Sequence, residues 1–232
     1  MHIITTNFNG NPNVGLFGYA NDEYCLLGRD VPKSAAVQIE KALKVPVHQM
    51  SMCGTSMIGA FVTGNSRTLL VPNIAFEEEL KELKKIGIRY TVISTKLTAL
   101  GNNILCNDHG CLVNPEFPAA IKKIIRQALN VKVVPYGIAG TEITGSCGVI
   151  ANNRCLLHRD ASQREISKVE EELKVTVETG TVNMANPYVR SGILCNNNGI
   201  IVGDASGGPE VAHIDESLGY LEKELAKKAR QD

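Results

Sequence analysis

The sequence predicts an α/β fold: a five-bladed, pseudo-symmetric α/β propeller of ββαβ units, with the N-terminal strand closing the fifth blade. Three observations predict it. One phrase recurs five times, as "NDEYCLLGRD" from Asn21, "NSRTLLVPN" from Asn65, "CNDHGCLVNP" at 106–115, "NNRCLLHRD" from Asn152 and "NNNGIIVGD" from Asn196. Aligned on the first apolar residue after the turn, Cys25, Leu69, Cys111, Cys155 and Ile200 stand 44, 42, 44 and 45 residues apart, a period that marks repeat architectures. Each phrase joins two short apolar runs across an Asn-rich turn and leads into an apolar period of three and four. Finally, the fifth unit ends without a last strand, whereas the chain begins with one.

The elements follow in chain order. "MHIITTNFNGNPNVG" takes fourteen steps from Met1 to Gly15, as "VKVVPYGIAGTEITG" does from Val131 to Gly145. Residues 1–8 therefore read as a last strand displaced to the N-terminus. "GLFGYA" and "YCLLG" are the hairpin strands of the first unit. Helical stripes lie at Ala36, Ile39 and Leu43; at Phe76, Leu80 and Leu83; at Ile121, Ile125 and Ala128; and at Ile166, Val169 and Leu173, each with one apolar face toward a sheet. Ser162 and Glu165 have capping-box spacing. Last strands open near Val45, Ile88, Val131 and Val175. The fifth unit shows its hairpin and a helix through Val211, Ile214, Leu218, Leu221 and Leu225. Borrowing the first strand completes that unit, closes the ring and leaves no open sheet edge. The repeats of this single domain are drawn at about 14–57, 58–99, 100–143, 144–187 and 188–232. Gly15, Gly59, Gly101 and Gly145 stand ten residues before the alignment point, and Arg190 breaks that series.

Composition narrows the function. With 24 basic and 24 acidic residues and no Trp, the chain lacks the basic excess that drives phosphate binding and the aromatics of a base-stacking platform. DNA is excluded as a partner. The N-terminus lacks signal-peptide order and no apolar run reaches membrane-spanning length. Seven cysteines without a secretory signal imply reduced thiols in a cytoplasmic protein, which is expected to be a monomer.

Cys106, His109 and Cys111 suggest zinc, but three donors on one turn with no fourth partner fit zinc poorly. Across the repeat, Cys111 shares its slot with Leu69 and Ile200, and Cys106 shares its slot with Gly64 and Ile150. These are interchanges that small core positions tolerate and ligand positions do not. "HRD" at 158–160 lacks every companion of a kinase loop, and its counterpart "GRD" at 28–30 assigns Arg29 and Arg159 to the scaffold. "GTSMIG" and "GTEITG" lack the Lys-Ser/Thr of a phosphate loop. The charged segments 77–89 and 122–127 read as solvated helix faces. No catalytic set, metal site or cofactor site follows from the spacing.

A binding surface is sought in slots shared by all units. The residue after the blade-opening position is Leu16, Ala60, Asn102, Ser146 or Ser191, mostly small or polar. "ALGNN" (99–103) and "VNMANPYVRSG" (182–192) add Gly101, Asn103, Tyr188 and Arg190 near one rim, and Asn65 is a further candidate. Such residues suit turns, or a flat, uncharged docking face with Tyr and Arg as anchors.

"MIGAFVTGNSRTLLVPN" (57–73), "LTALGNNILCNDHGCLVNP" (97–115), "TGTVN" (179–183) and "GILCNNNGIIVG" (192–203) resemble the translation initiation factor six family of archaea and eukaryotes over nearly the whole chain. The resemblance implies the pentein fold. It also implies binding to the intersubunit face of the large ribosomal subunit, against a ribosomal protein near the sarcin–ricin loop with secondary rRNA contact. Occupancy there would block the small subunit. The short "KKARQD" end resembles archaeal members, which lack the eukaryotic tail. The resemblance puts the Gly101-Asn102 step on the subunit-facing rim, and Ala60 where many eukaryotic members have Arg. Penteins also include enzymes acting on guanidino compounds. That is the alternative function, although their motifs find no place on this chain.

Overall fold

The computed structural model describes residues 2–223; Met1, Leu225 and the "KKARQD" end lie outside the described residues. Within them the chain builds five three-stranded sheets. In each, a short first strand pairs antiparallel with the second, and a third lies parallel on the second's other side. The sets are Gly18–Ala20, Cys25–Gly28 and Val47–Met50; Thr63–Gly64, Leu69–Pro72 and Tyr90–Ile93; Ile104–Cys106, Gly110–Val113 and Lys132–Pro135; and Gly148–Ala151, Arg154–His158 and Thr176–Gly180. The fifth joins Ile193–Asn196 and Gly199–Gly203 to Ile3–Thr6, with Ile3 opposite Ile200. The displaced strand closes the ring, as its spacing predicts.

The second strands are buried along their whole length at Cys25–Gly28, Leu69–Pro72, Gly110–Val113 and Gly199–Gly203, as continuous apolar runs must be. Helices Lys33–Leu43, Glu77–Lys85, Ala119–Leu129 and Gln163–Leu173 lie between second and third strands in sequence, Gly208–Ser217 follows the second strand of the fifth blade, and together they bury Ile39, Leu43, Leu83, Ile125, Leu129, Val169, Leu173 and Ile214. Ser162 accepts from the Glu165 N–H, so the capping box forms.

Four details depart from the sequence reading. "GLFGYA" is not one strand, because Val14–Phe17 first winds into a single 3-10 turn. Phe76 is 55% exposed at a helix start rather than on the buried stripe. Val45, Val131 and Val175 precede the third strands instead of opening them. They follow the left-handed caps Lys44, Asn130 and Lys174, where an apolar residue packs back on the helix. The last helix stops at Ser217, its C-cap Leu218 is buried with Ile214, and Gly219 turns left-handed at φ 73, so Leu221 is exposed and does not continue the stripe.

Single turns at Val14–Phe17, Ile58–Phe61, Leu100–Asn103, Thr144–Cys147 and Val189–Gly192 touch in that order, and the last touches the first. Here glycine is needed for close approach. A Cβ on Gly59 would lie 2.0 Å from the Gly15 carbonyl oxygen, one on Gly101 2.0 Å from that of Gly59, and one on Gly145 2.2 Å from that of Gly101. A Cβ on Gly15 would lie 1.9 Å from the Arg190 carbonyl oxygen, which completes the circle.

The recurring asparagines clasp neighbouring blades at the opposite end. The side-chain oxygens of Asn21, Asn107 and Asn196 each accept two backbone N–H groups of their own turn. The side-chain amides reach the next blade and cap the last carbonyls of its helix: Asn65 to Leu129 at 3.0 Å, Asn107 to Leu173 at 2.7 Å, Asn152 to Leu218 at 2.8 Å and Asn196 to Leu43 at 2.9 Å. These carbonyls have no partner within their helices. Asn196 joins the fifth blade to the first and also donates to the Asn21 carbonyl. Asn196→Ala leaves both acceptors buried, and its expected cost is about 1–3 kcal/mol of stability. A urea midpoint unchanged from the parent protein would contradict the clasp.

Candidate functional site

Each first strand runs from a single turn to an Asn hairpin, so single turns and hairpins occupy opposite ends of the ring. Between them lies an axial cavity of about 300 Å³, lined by Tyr19, Thr63, Cys106, Arg190 and Cys195 and opening among the hairpin residues Asp22, Ser66, Asp108, His109, Asn153 and Asn197. The touching single turns close the other end.

Arg190 takes the place of the fifth glycine, and its side chain enters the cavity instead of reaching the rim. One guanidinium nitrogen faces the Val62 carbonyl at 3.4 Å, and Nε is sealed without a partner among the described residues. Burial works against its charge, yet an arginine stays cationic. The expectation of a rim anchor at Arg190 is corrected accordingly. It failed because a side chain in a slot otherwise filled by glycine cannot fit between turns and must point inward.

The closed end presents a different chemistry. The residue before each single turn is Asn13, Met57, Ala99, Ile143 or Tyr188, with φ between −77 and −87 and ψ between 57 and 75 in all five. Met57, Ile143 and Tyr188 are 38%, 37% and 37% exposed there. The five loops that lead to these residues, 7–13, 51–57, 94–99, 136–143 and 181–188, contain only Lys96 and Glu142 as charged residues. The hairpin end carries Asp22, Glu23, Asp108 and Arg67, the helix ends clasped there add Lys44 and Lys174, and Arg154 and Lys223 lie beside the Asn152 hairpin. Loops with almost no charge therefore oppose an end rich in charges of both signs.

Helix-start carboxylates fix the closed-end loops. Glu79, itself buried, accepts N–H groups from Cys53, Gly54 and Phe76 at 2.8, 2.9 and 2.8 Å. Glu165 accepts from Ala139 and Ser162 at 2.8 and 2.7 Å. Partial burial pushes the Glu165 carboxyl up, but the Ser162 and Ala139 donors outweigh it and hold the group below its ordinary value. Its contribution to stability is thus present above the ordinary carboxylate range and lost as pH falls through the depressed value. Glu210 accepts from Met184 and Ala185 at 3.3 and 3.1 Å. These loops turn through left-handed pairs, Cys53-Gly54 and Ala139-Gly140. The period of 45 in the fifth unit adds one residue, so Asn183, Met184 and Ala185 all have positive φ and Met184 is 82% exposed.

The sequence-chosen residues divide between the two ends. Asn102 and Ser146 are half-buried at the closed end, and among the described residues their side chains have no hydrogen-bond partner. Ser191 donates to the Tyr188 carbonyl at 2.9 Å, and the Tyr188 ring stands edge-on to His158 at 5.2 Å. Burial draws the His158 proton affinity down, so the ring beneath Tyr188 is neutral near pH 7. Ala60 and Gly101 are buried in the ring of turns. Asn103 is buried, donating to the Ala99 carbonyl and accepting from Asn114 at 2.7 Å. Asn65 sits at the hairpin end in its clasp. Met57 and Ile143 escaped the sequence reading, although reading the repeat two residues before each blade-opening position would have exposed them. Among the described residues no group of three His, Cys, Asp or Glu could hold a metal, and no helix is long and apolar enough to cross a membrane. Arg29 pairs with Glu82 of the next blade's helix at 3.0 Å, a tie between blades rather than within one.

Known proteins extend this picture. The eIF-6 family model matches residues 3–217. Translation initiation factor 6 of Pyrococcus abyssi is 38% identical over 227 residues, covering 95% of this chain and 100% of that protein. The Pyrococcus horikoshii factor is 37% identical with the same coverage, and that of Haloquadratum walsbyi is 34% identical, covering 95% and 98%. Among solved structures, the product-bound N-terminal domain of ArgZ, an arginine dihydrolase of Cyanobacteria, overlays with a TM-score of 0.47 at 12% identity, covering 72% of this chain and 67% of that one, too remote to bear on chemistry. With the family pattern running from the borrowed first strand to the last described blade helix, the chain belongs to the eIF-6 family and is of the archaeal type found in these translation initiation factors.

Proposed function

We propose that the closed end of the ring docks on the intersubunit face of the large ribosomal subunit and bars the small subunit by occupying its space. One observation carries the choice of end: Met57, Ile143 and Tyr188 are exposed in one slot, on loops with almost no charge. Exposed apolar groups rimmed by polar ones suit a protein partner, so a ribosomal protein near the sarcin–ricin loop supplies most of the contact and rRNA less. To hold its site at micromolar concentration the factor needs a Kd below about 1 μM, roughly −8 kcal/mol. A patch of roughly 800 Å² per partner can deliver that. The enzymatic alternative fits the cavity poorly, because the Arg190 cation already occupies the space where a guanidinium substrate would lie and would repel it.

Co-sedimentation with purified large subunits across a salt series tests the reading. The expected affinity changes little with salt. A loss of about 10³–10⁵ between 50 and 200 mM, as for six to ten phosphate contacts, would make rRNA the main partner. Asn102→Ala is expected to weaken binding by about 1–3 kcal/mol, since the side-chain amide is free to pair with the subunit. Full retention of affinity would remove Asn102 from the interface.

A further inference from the structure

Docking leaves the cysteines of "CNDHGC" unused. Cys106 and Cys111 are directly opposite in antiparallel register. The hydrogen bond beyond them, from the Asn107 N–H to the Gly110 carbonyl at 3.1 Å, makes theirs the non-hydrogen-bonded kind of pair. Such pairs project side chains to one face with Cα atoms about 4.5 Å apart, within the ~4.4–6.8 Å that a disulfide spans. The Cys106 thiol donates to the Gly64 carbonyl at 3.2 Å and lies beside the Cys111 thiol. Cys106 lines the axial cavity, whereas Cys111 is fully buried behind it against the cluster of Leu70, Ile93 and Val113.

The repeat supplies its own controls. Opposite pairs in the other blades are Ala20 with Cys25, Gly64 with Leu69, Ile150 with Cys155 and Cys195 with Ile200. Only the third blade has a thiol on both strands. Cys195 lines the same cavity, but it faces Ile200, and burial pushes its thiol up to about 12. For Cys106 the adjacent Cys111 thiol, with the Thr63 hydroxyl at 3.9 Å and the Arg190 charge, outweighs burial and the Asp108 carboxylate and draws it below its ordinary value. Cys111 moves the other way, chiefly by burial.

We propose that Cys106 and Cys111 form a peroxide-reactive dithiol, in which Cys106 attacks a small hydroperoxide entering the axial cavity and Cys111 resolves the product to a cross-strand disulfide. In the first step the Cys106 thiolate attacks the terminal oxygen. An S–O bond forms, the O–O bond breaks, and the leaving alkoxide takes a proton to become an alcohol, or water from hydrogen peroxide. In the second step Cys111 sulfur attacks Cys106 sulfur. The S–S bond forms, the S–O bond breaks, and hydroxide leaves with the Cys111 proton as water. Two thiols lose two electrons and the peroxide gains them.

Limiting hydrogen peroxide added to the reduced full-length protein, followed by alkylation in denaturant and mass mapping, tests the pair. The seven thiols are expected to fall to five, with one linked peptide joining Cys106 to Cys111. Cys106 should oxidise roughly tenfold or more faster than Cys195, because it faces a second thiol where Cys195 faces Ile200. Cys111→Ser should accumulate a sulfenic acid at Cys106 that dimedone traps. Cys111→Val should do the same in a slot that Leu69 and Ile200 fill elsewhere, in case the buried hydroxyl impairs folding. Cys106 oxidising no faster than Cys195, or a bridge to any other cysteine or between molecules, would overturn the proposal.

Discussion

Gly59→Val is expected to leave no folded protein at 25 °C, and Gly101→Ala to lose at least about 4 kcal/mol. A Cβ on Gly59 would lie 2.0 Å from the Gly15 carbonyl oxygen and 2.4 Å from that of Gly18. Both obstacles are backbone of the preceding blade, so no side-chain rotation relieves the clash. Moving that backbone shifts the next contact in turn, since Gly101 faces Gly59 in the same way at 2.0 Å. A domain stable by about 5–15 kcal/mol has little margin for opening such a ring. Gly208→Ala is the control, because nothing lies within 4 Å of its added methyl, and it should stay within about 0.5 kcal/mol of the parent. Circular dichroism and urea midpoints decide. A Gly59→Val protein that folds with an unshifted midpoint would show that the single turns do not meet.

Under the proposed docking, Met57→Asp combined with Ile143→Asp should weaken large-subunit binding by about a hundredfold or more while leaving the urea midpoint in place. Both side chains are more than a third exposed, so the fold makes little use of them, whereas an interface would have to bury two carboxylates in an apolar contact. Tyr188 is left intact because its ring also packs on His158. Arg67→Glu with His109→Asp, at the hairpin end, should bind as the parent does. If that pair abolishes binding and the closed-end pair does not, the docking end is the opposite one.

The architecture was legible because one physical requirement was written five times. Asn21, Asn65, Asn107, Asn152 and Asn196 recur with the apolar run after them, and the spacing from Met1 to Gly15 matched that from Val131 to Gly145 closely enough to assign the closing strand. What the asparagines do was not legible. The amides of Asn65, Asn107, Asn152 and Asn196 cross to carbonyls 64 to 175 residues away, and periodicity within a unit carries no information about its neighbour. The single turns were hidden for a related reason. "GLFGYA" has the composition of a strand, and only the close approach of adjacent blades winds its first residues into a turn.

The site divides along the same line. Sequence by itself determined the repeat, the ring closure, the family pattern and the interest of Asn102, Ser146, Tyr188 and Ser191, since each depends on residue type at a fixed period. Tertiary structure alone decided that Arg190 points into the cavity, that Asn65 and Asn103 serve the scaffold, and that Met57 and Ile143 share an exposed slot with Tyr188. It also decided that Cys106 is open to the cavity while Cys111 is not. Exposure and direction are properties of packing between units, and a one-dimensional period does not contain them.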